Sequence, residues 1–482
     1  MFRDQPKALY VLSLTELWER FGYYTLTTVF TLYLIDVLKM RDAQAYLLFG
    51  AFTAFAYLMP VVGGVIADRV FGHGRAIVLG AAMMSAGYLL LALGSTDTMY
   101  VALGILVVGN GLFKANVSAL LGHFFEDQDS RRASAFTILY MGINIGSLAA
   151  TLVAGILAVQ FGYWVAFAAA GCGKLLSLLT FLYGRRYLEE HHHPPAHATG
   201  SLRENGLVAV ALAGLVLISI YLIARPAEAG IFLAVVESAA IVIYVVMVFR
   251  EPAVLRNKLI AHLVLVIFAV AFWAVYQQDV TSVMVFTQRD LDLNVFGWQS
   301  PPEEFASLNP FFILALSPFL AFLWPAIERR GVRFDDIVKF AFGLVFLGAA
   351  YWVLTTGIFE TPEGAKTMAF WVVLFFLLLS IGELLLSPVG LALTTELAPR
   401  HLAGFAMGIW LMATSGANYI AGLLGGLASV PDGTSPAQEA AIYSHAFFIY
   451  GAICIAAAAL LLLMLPVMRR AIGFTGPDRG AA

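Results

Sequence analysis

The sequence predicts an all-α protein that crosses a membrane many times, and three observations lead there. Its 482 residues are 61% hydrophobic and only 12% charged, with a mean hydropathy of +0.85; soluble domains run at about half apolar and a quarter charged. The apolar residues gather into stretches of roughly twenty or more, each long enough to cross about 30 Å of hydrocarbon. The basic residues in the connections alternate in density along the chain. No long polar segment exists from which a soluble domain could be built, and the net charge of -3 says little about partners.

In chain order the stretches predict helices near 8–38, 44–67, 75–94, 99–124, 133–159 and 163–187, then 206–224 and 229–249, then 258–286, 305–327, 336–356, 367–394, 402–429 and 440–468. The first is long and carries charges, with no short apolar core before a small-residue cleavage site, so it reads as a retained helix. A polar break with His191, His192, His193 and two prolines follows the sixth. The chain thus divides into a six-helix bundle at 1–187, a linker with two inserted helices at 188–255, and a second six-helix bundle at 256–482. Cys172 and Cys454 stand far apart in apolar stretches and read as packed thiols, neither a disulfide nor a metal framework.

Orientation follows from the connections. With the N-terminus inside, inner segments hold nineteen basic residues, Arg69, Arg131, Arg185, Arg250, Arg330, Arg400 and Arg470 among them. Outer segments hold five: Lys39, Arg41, Arg225, Arg289 and Lys366. The alternation holds at every loop, which makes the helix count even, fourteen in all, and puts both termini in the cytoplasm.

A weak internal repeat supports two halves. GGVIADRVFGHGRA (63–76) is echoed by WPAIERRGVRFDD (324–336), with Glu328-Arg329 matching Asp68-Arg69, and SRRASAF (130–136) is echoed by PRHLAGF (399–405). Parallel halves of six helices mark the major facilitator fold, whose members bind substrate near mid-membrane where the halves meet. No glycine-rich loop follows a strand and opens a helix, so nothing speaks for nucleotide binding.

Charges at membrane depth are the functional pointers. Arg20, Lys114 and Lys174 lie deep, as do Glu16, Glu19, Glu237, Asp279 and Glu383, while Lys339 sits near an inner helix end and snorkels. Each deep charge costs about 2.5–3.5 kcal/mol on insertion scales and calls for a partner or a water-lined site. In ELWERFGYY (16–24) the residues Glu16, Glu19, Arg20 and Tyr23 fall within about 100° of helix surface, with Tyr24 at the edge. They form one inward stripe in which Glu16 and Arg20 are i,i+4 partners. A purely structural ion pair is the bland reading. Three charges cannot neutralise pairwise, however, so one is expected to serve a substrate or a partner elsewhere.

These residues resemble the proton-dependent oligopeptide transporters, the POT or PTR2 family. The family's first-helix motif E-x-x-E-R-F-x-Y-Y is matched by Glu16, Glu19, Arg20, Phe21, Tyr23 and Tyr24. GNGLFKANVSALLGHFFEDQDSRRASAFTILYMGINIG (109–146), AYLMPVVGGVIADRVFG (56–72), NPFFILALSPFLAFLW (309–324) and GELLLSPVGLALTTELAP (382–399) are also similar to family segments. The resemblance covers both halves, and the two extra helices are those of bacterial members. It implies proton-coupled import of di- and tripeptides by alternating access.

The resemblance also assigns residues. Arg20 and Lys114 match the cations that face the peptide carboxylate, and Tyr23, Tyr24 and Tyr57 match tyrosines lining the cavity. Asn144 matches a contact to the peptide backbone, Asn309 and Glu383 the groups receiving its amino end, and Trp410 a pocket tryptophan. The chemistry is sensible in itself, because a zwitterion needs cations facing an acid and adaptable aromatic walls. For Tyr57 and Trp410 ordinary packing is the competing reading. A bond between Lys114 and Glu383, on opposite halves, would close the inner side until Glu383 is protonated.

Two departures stand out. Family members usually place an arginine three residues after the second motif tyrosine and a glutamate in an E-Q pair after F-W; here these are Thr27 and Gln277. Losing both partners of a gate ion pair together is consistent, since a lone buried charge is costly. Gly50 stands where animal members carry a histidine, so protonation is expected on Glu16, Glu19, Glu383 and Asp279. Asp279, about 200° around the helix from Gln277, is no simple replacement.

Weaker features complete the reading. Asp68 and Arg69 are expected to brace the inner gate, and His191–His193 to be a solvated linker that binds no metal. Lys174 and Glu237 match no family motif; a pair between them, where the inserted helices meet the sixth helix, is the candidate explanation. We expect a monomer in the bacterial inner membrane, in contact with lipid, peptides and protons, with no cofactor or metal, no nucleic-acid partner and no enzymatic activity. The alternative on the same fold is a carrier of nitrate or a peptide-like metabolite. An intramembrane enzyme would need a nucleophile–base pair or a metal cluster at depth, and a passive channel has no use for two repeated halves.

Overall fold

A computed structural model describes residues 5–125, 131–188, 202–295, 297–329, 335–399 and 401–473. The linker histidines His191–His193, the 126–130 part of the signature stretch, and Arg330 and Arg400 of the loop count lie outside the described residues. Fifteen α-helices are present among the described residues: α1 Lys7–Leu32, α2 Asp42–Ile66, α3 His73–Leu91, α4 Thr96–Gly122, α5 Arg131–Phe161, α6 Tyr163–Gly184, α7 Leu202–Ala224, α8 Pro226–Arg250, α9 Ala253–Tyr276, α10 Ser282–Asp290, α11 Leu308–Glu328, α12 Asp336–Glu360, α13 Ala369–Leu397, α14 Ala403–Gly425 and α15 Pro436–Ile472. Eleven are long and apolar enough to cross a membrane. The nine-residue α10 is too short, and α1, α11 and α14 fall outside that count, α1 carrying Lys7, Glu16, Glu19 and Arg20.

Local chemistry sets the helix ends. Ser95 caps α4 by accepting from the Thr98 backbone N–H at 3.2 Å. Asp335 caps α12 through the Val338 N–H at 2.8 Å and also takes Arg469 of α15 at 2.6 Å. α1 and α2 each run on in a π-helical turn, Tyr33–Val37 and Ala67–Phe71. Gly162, at φ 92°, makes the sharp reversal between α5 and α6 that a side-chained residue would resist.

The helix expected at 258–286 is a correction: it is broken into α9 and α10 at Gln277–Thr281. The polar side chains there compete with the helical ladder. Asp279 Oδ1 accepts from the Val280 N–H at 2.8 Å, Gln278 Nε2 donates to the Ala421 carbonyl of α14 at 2.8 Å, and Ser282 Oγ donates to Gln278 Oε1 at 3.0 Å. Non-helical backbone at this depth persists because it is buried in protein and bonded. Beyond α10 lie a short hairpin, β1 Asn294–Val295 and β2 Trp298–Gln299, and a 3-10 turn at Pro302–Ser307, none of which periodicity predicted.

The chain forms two compact units, Met1–Ala229 with Phe296–Phe311, and Gly230–Val295 with Phe312–Ala482. In the first, α1 packs on α5 and α6, α4 on α2 and α3, and the 3-10 turn on α5. Gly63 of α2 meets Gly111 of α4 so closely that a Cβ on Gly63 would overlap the Gly111 carbonyl, the small-residue approach typical of membrane helices. In the second, α12 packs on α13 and α15, and α9 on α13, α14 and α15. The inserted helices part company. α7 lies on α4, with Ile220 over Gly104, whereas α8 joins the second unit, with Gly230 against Tyr419 of α14 and Tyr244 bonded to His262 of α9 at 3.0 Å.

Candidate functional site

In the first unit the site is built on α1, which α6 holds in register. Ser177 Oγ donates to the Thr15 carbonyl at 2.7 Å, and Gly173 leaves room for the Phe21 ring. That clamp keeps the charged stripe inside. Arg20 Nε lies 3.3 Å from Glu16 Oε1 and also donates to Glu19 Oε2. The other Glu19 oxygen is 3.9 Å from Lys174 Nζ of α6. Lys174 is fully buried, with its ammonium 3.3 Å from the centroid of the Phe113 ring of α4.

Of the two uses expected for the charge left over from the α1 stripe, a substrate or a partner elsewhere, the structure shows a partner, because Lys174 of α6 meets Glu19. The acid beside Lys174 in the first unit is Glu19. Glu237 of α8 lies instead in the second unit, with its carboxylate pressed on Gly416 of α14. Sequence reasoning missed the role of Lys174, though a lone lysine in an apolar helix was the signal.

Lys114 of α4 is a cation of a different kind. It is partly exposed, and its ammonium stands 3.7 Å from the Tyr57 ring centroid and 6.0 Å from that of Tyr23. Among the described residues no carboxylate pairs with it. Arg20 also lies over Tyr23, at 5.1 Å, and Tyr23 meets Tyr24 edge to face. Rings in this position stabilise a cation while leaving its hydrogen-bond donors available. Five predicted residues, Arg20, Tyr23, Tyr24, Tyr57 and Lys114, are thus gathered in one cluster.

Asn144 lies on α5 at the level of that cluster. The flanking Gly142 and Gly146 press on the Ser13 and Leu17 carbonyls, and the Asn144 amide donates to the Tyr140 carbonyl at 2.9 Å. Asn309 stands in the first turn of α11, partly buried. Asp68 and Arg69 sit in the π turn that ends α2. Asp68 is 3.6 Å from His73 Nε2, and His73 Nδ1 bonds Asn116 of α4 at 2.8 Å, so this end of α2 is tied to α4 through one imidazole.

In the second unit Glu383 of α13 accepts a hydrogen bond from the Tyr276 hydroxyl of α9 at 2.6 Å. Asp279 is buried in the α9–α10 break, one oxygen satisfied by backbone. Gln277, in the position the family usually gives to glutamate, donates its amide to Asn418 of α14. An amide pair fills that place and needs no counter-ion. Trp410 is buried with its ring pressed onto Gly390 of α13, where a Cβ would overlap it.

Comparison with known proteins agrees with this architecture. The sequence pattern of the POT family matches residues 74–442. The chain is 36% identical to dipeptide and tripeptide permease A of Serratia proteamaculans over 477 residues, covering 98% of this chain and 94% of that protein. It is 34% identical to dipeptide and tripeptide permease A of Escherichia coli over 480 residues, 99% of this chain and 95% of that one. Among solved structures, the peptide transporter POT in complex with sulfate superposes with a TM-score of 0.84 at 30% identity, covering 98% and 96% of the two chains. The tetrameric PepTSo2 superposes with 0.85 at 30% identity, covering 96% and 99%.

Proposed function

Because this chain belongs to the POT family, we propose that it imports di- and tripeptides together with protons by alternating access. Full-length similarity to dipeptide and tripeptide permeases supports the substrate class. The observation that carries the reading is Lys114, a cation whose neighbours among the described residues are the faces of Tyr57 and Tyr23 and not a carboxylate. A peptide carboxylate supplies the missing anion at low solvation cost, while the tyrosines tolerate varied side chains.

In this scheme Lys114 takes the carboxylate, Glu383 and Asn309 take the amino group, and Asn144 contacts the backbone. Glu383 also carries the coupling proton, with Glu16, Glu19 and Asp279 as the other candidate carriers. Proton and peptide bias the same equilibrium only when each binds one state better than the other. The protein is multi-pass; we assign it to the bacterial inner membrane as a monomer with both termini in the cytoplasm, on the loop charges. Dialanine uptake into proteoliposomes, with and without an inward proton gradient, tests the reading. Gradient-dependent accumulation is expected; no peptide uptake under any gradient would remove it.

A further inference from the structure

Lys174 is the charge in the α1 cluster that no motif explains. Its ammonium is wholly buried, 3.9 Å from Glu19 Oε1 and over the Phe113 ring, and among the described residues it reaches no hydrogen-bond acceptor. Glu16 and Glu19 contribute two negative charges, Arg20 and Lys174 two positive ones, so the buried cluster is balanced within itself. Lys114 then stands outside the balance. Yet it shares the Tyr23 ring with Arg20, and it is the further cation within electrostatic reach of both acids. Remove the Lys174 charge and the cluster holds one excess acid in a low-dielectric interior, where an unpaired charge draws in the nearest counter-ion.

We propose that Lys174 is a positioning residue for transport: by neutralising Glu19 it keeps the Lys114 ammonium available for the carboxylate of a bound peptide. The proposal rests on the role given to Lys114 above. Arginine in its place preserves the balance, and neutralising both Glu19 and Lys174 restores it.

The test measures the affinity of purified protein for radiolabelled dialanine, together with its melting temperature. The variants are Lys174→Met, Lys174→Arg and the double change Glu19→Gln with Lys174→Met. Lys174→Met is expected to weaken dialanine binding about tenfold or more, the effect of one charge-assisted bond lost from the ligand. Lys174→Arg should bind within about threefold of wild type on the same scale, and the double variant clearly more tightly than Lys174→Met. A folded Lys174→Met protein of unchanged affinity, or a double variant no tighter than the single one, overturns the proposal. If Lys174→Met does not fold, the double variant decides: recovery of folded protein supports the pairing, and no recovery overturns it. Wild-type protein that binds no dialanine counts against the peptide reading alone, since the melting temperatures still report whether the second neutralisation compensates the first.

Discussion

Tyr276 of α9 donates its hydroxyl to the Glu383 carboxylate of α13 at 2.6 Å. The bond is short, as expected when the acceptor is charged, and it orients an acid assigned two tasks. Tyr276→Phe should therefore loosen Glu383 and weaken dialanine binding about tenfold, within the 1.5–3 kcal/mol typical of such bonds. N-acetyl-dialanine, lacking the charged amino end, should bind poorly to wild type and lose little more in the variant. Equal affinity of the wild type for the free and acetylated peptides would show that Glu383 does not receive the amino group.

Glu383→Gln, a permanently neutral mimic, should lose gradient-driven accumulation while retaining some peptide exchange across the membrane. Asp279→Asn should be milder, because that carboxylate is committed to the backbone of the α9–α10 break. Counterflow and uphill uptake separate the two effects. The opposite pattern would move the proton to Asp279.

Lys114→Ala and Arg20→Ala should both abolish uptake, for different reasons. The first removes a partly exposed cation that has no carboxylate partner among the described residues, and should leave the protein folded. The second strands Glu16 and Glu19 in the interior, where breaking a buried pair costs about 3–5 kcal/mol. A melting temperature for Arg20→Ala close to wild type would refute the buried network.

Gly63→Ala puts a methyl group into the Gly111 carbonyl, a backbone atom that cannot step aside without moving α4. A loss of about 1–3 kcal/mol or more is expected from overpacking of this kind. Thermal unfolding in detergent checks it, with the open-space substitution Gly214→Ala as control.

Glu303 gives a pH dependence outside the helices. It is 1% exposed on the 3-10 turn against α5, and burial, aided by the Asp36 carboxylate, pushes it up to about 7. A carboxyl raised in the folded state binds more protons than in the unfolded one. Stability therefore falls as pH rises from roughly 4.5 to 7 and stays lower above that. Glu303→Gln should be more stable than wild type at pH 8, by up to about 3 kcal/mol, and close to wild type at about pH 4. A constant difference across that range would assign the effect to packing.

Helix number, order and inserted pair were legible in the sequence because hydropathy and loop charge are summed over many residues. The α9–α10 break was not: Gln277, Gln278 and Asp279 fit an apolar helix of the right length until one knows that α14 offers the Ala421 carbonyl and Asn418 amide to receive them. The cation–tyrosine cluster was visible through the α1 motif and its match to known transporters. Lys174 escaped because its partner lies five helices away in the chain, and charge pairing across that distance leaves no periodic trace.

The buried tetrad of Glu16, Glu19, Arg20 and Lys174 also constrains how the protein is made. α1 is synthesised early and brings two acids and one base to this tetrad, while the second base is encoded 155 residues after Glu19 (174 − 19). At about 5–20 residues per second, roughly 8–30 s pass before that lysine exists. Throughout this interval the first helix is a poor candidate for free partition into lipid, and it has to remain beside the translocon or in a watery groove. Its final seat in the bilayer is expected only with the arrival of α6, so the amino-terminal bundle is expected to insert late and cooperatively and not helix by helix.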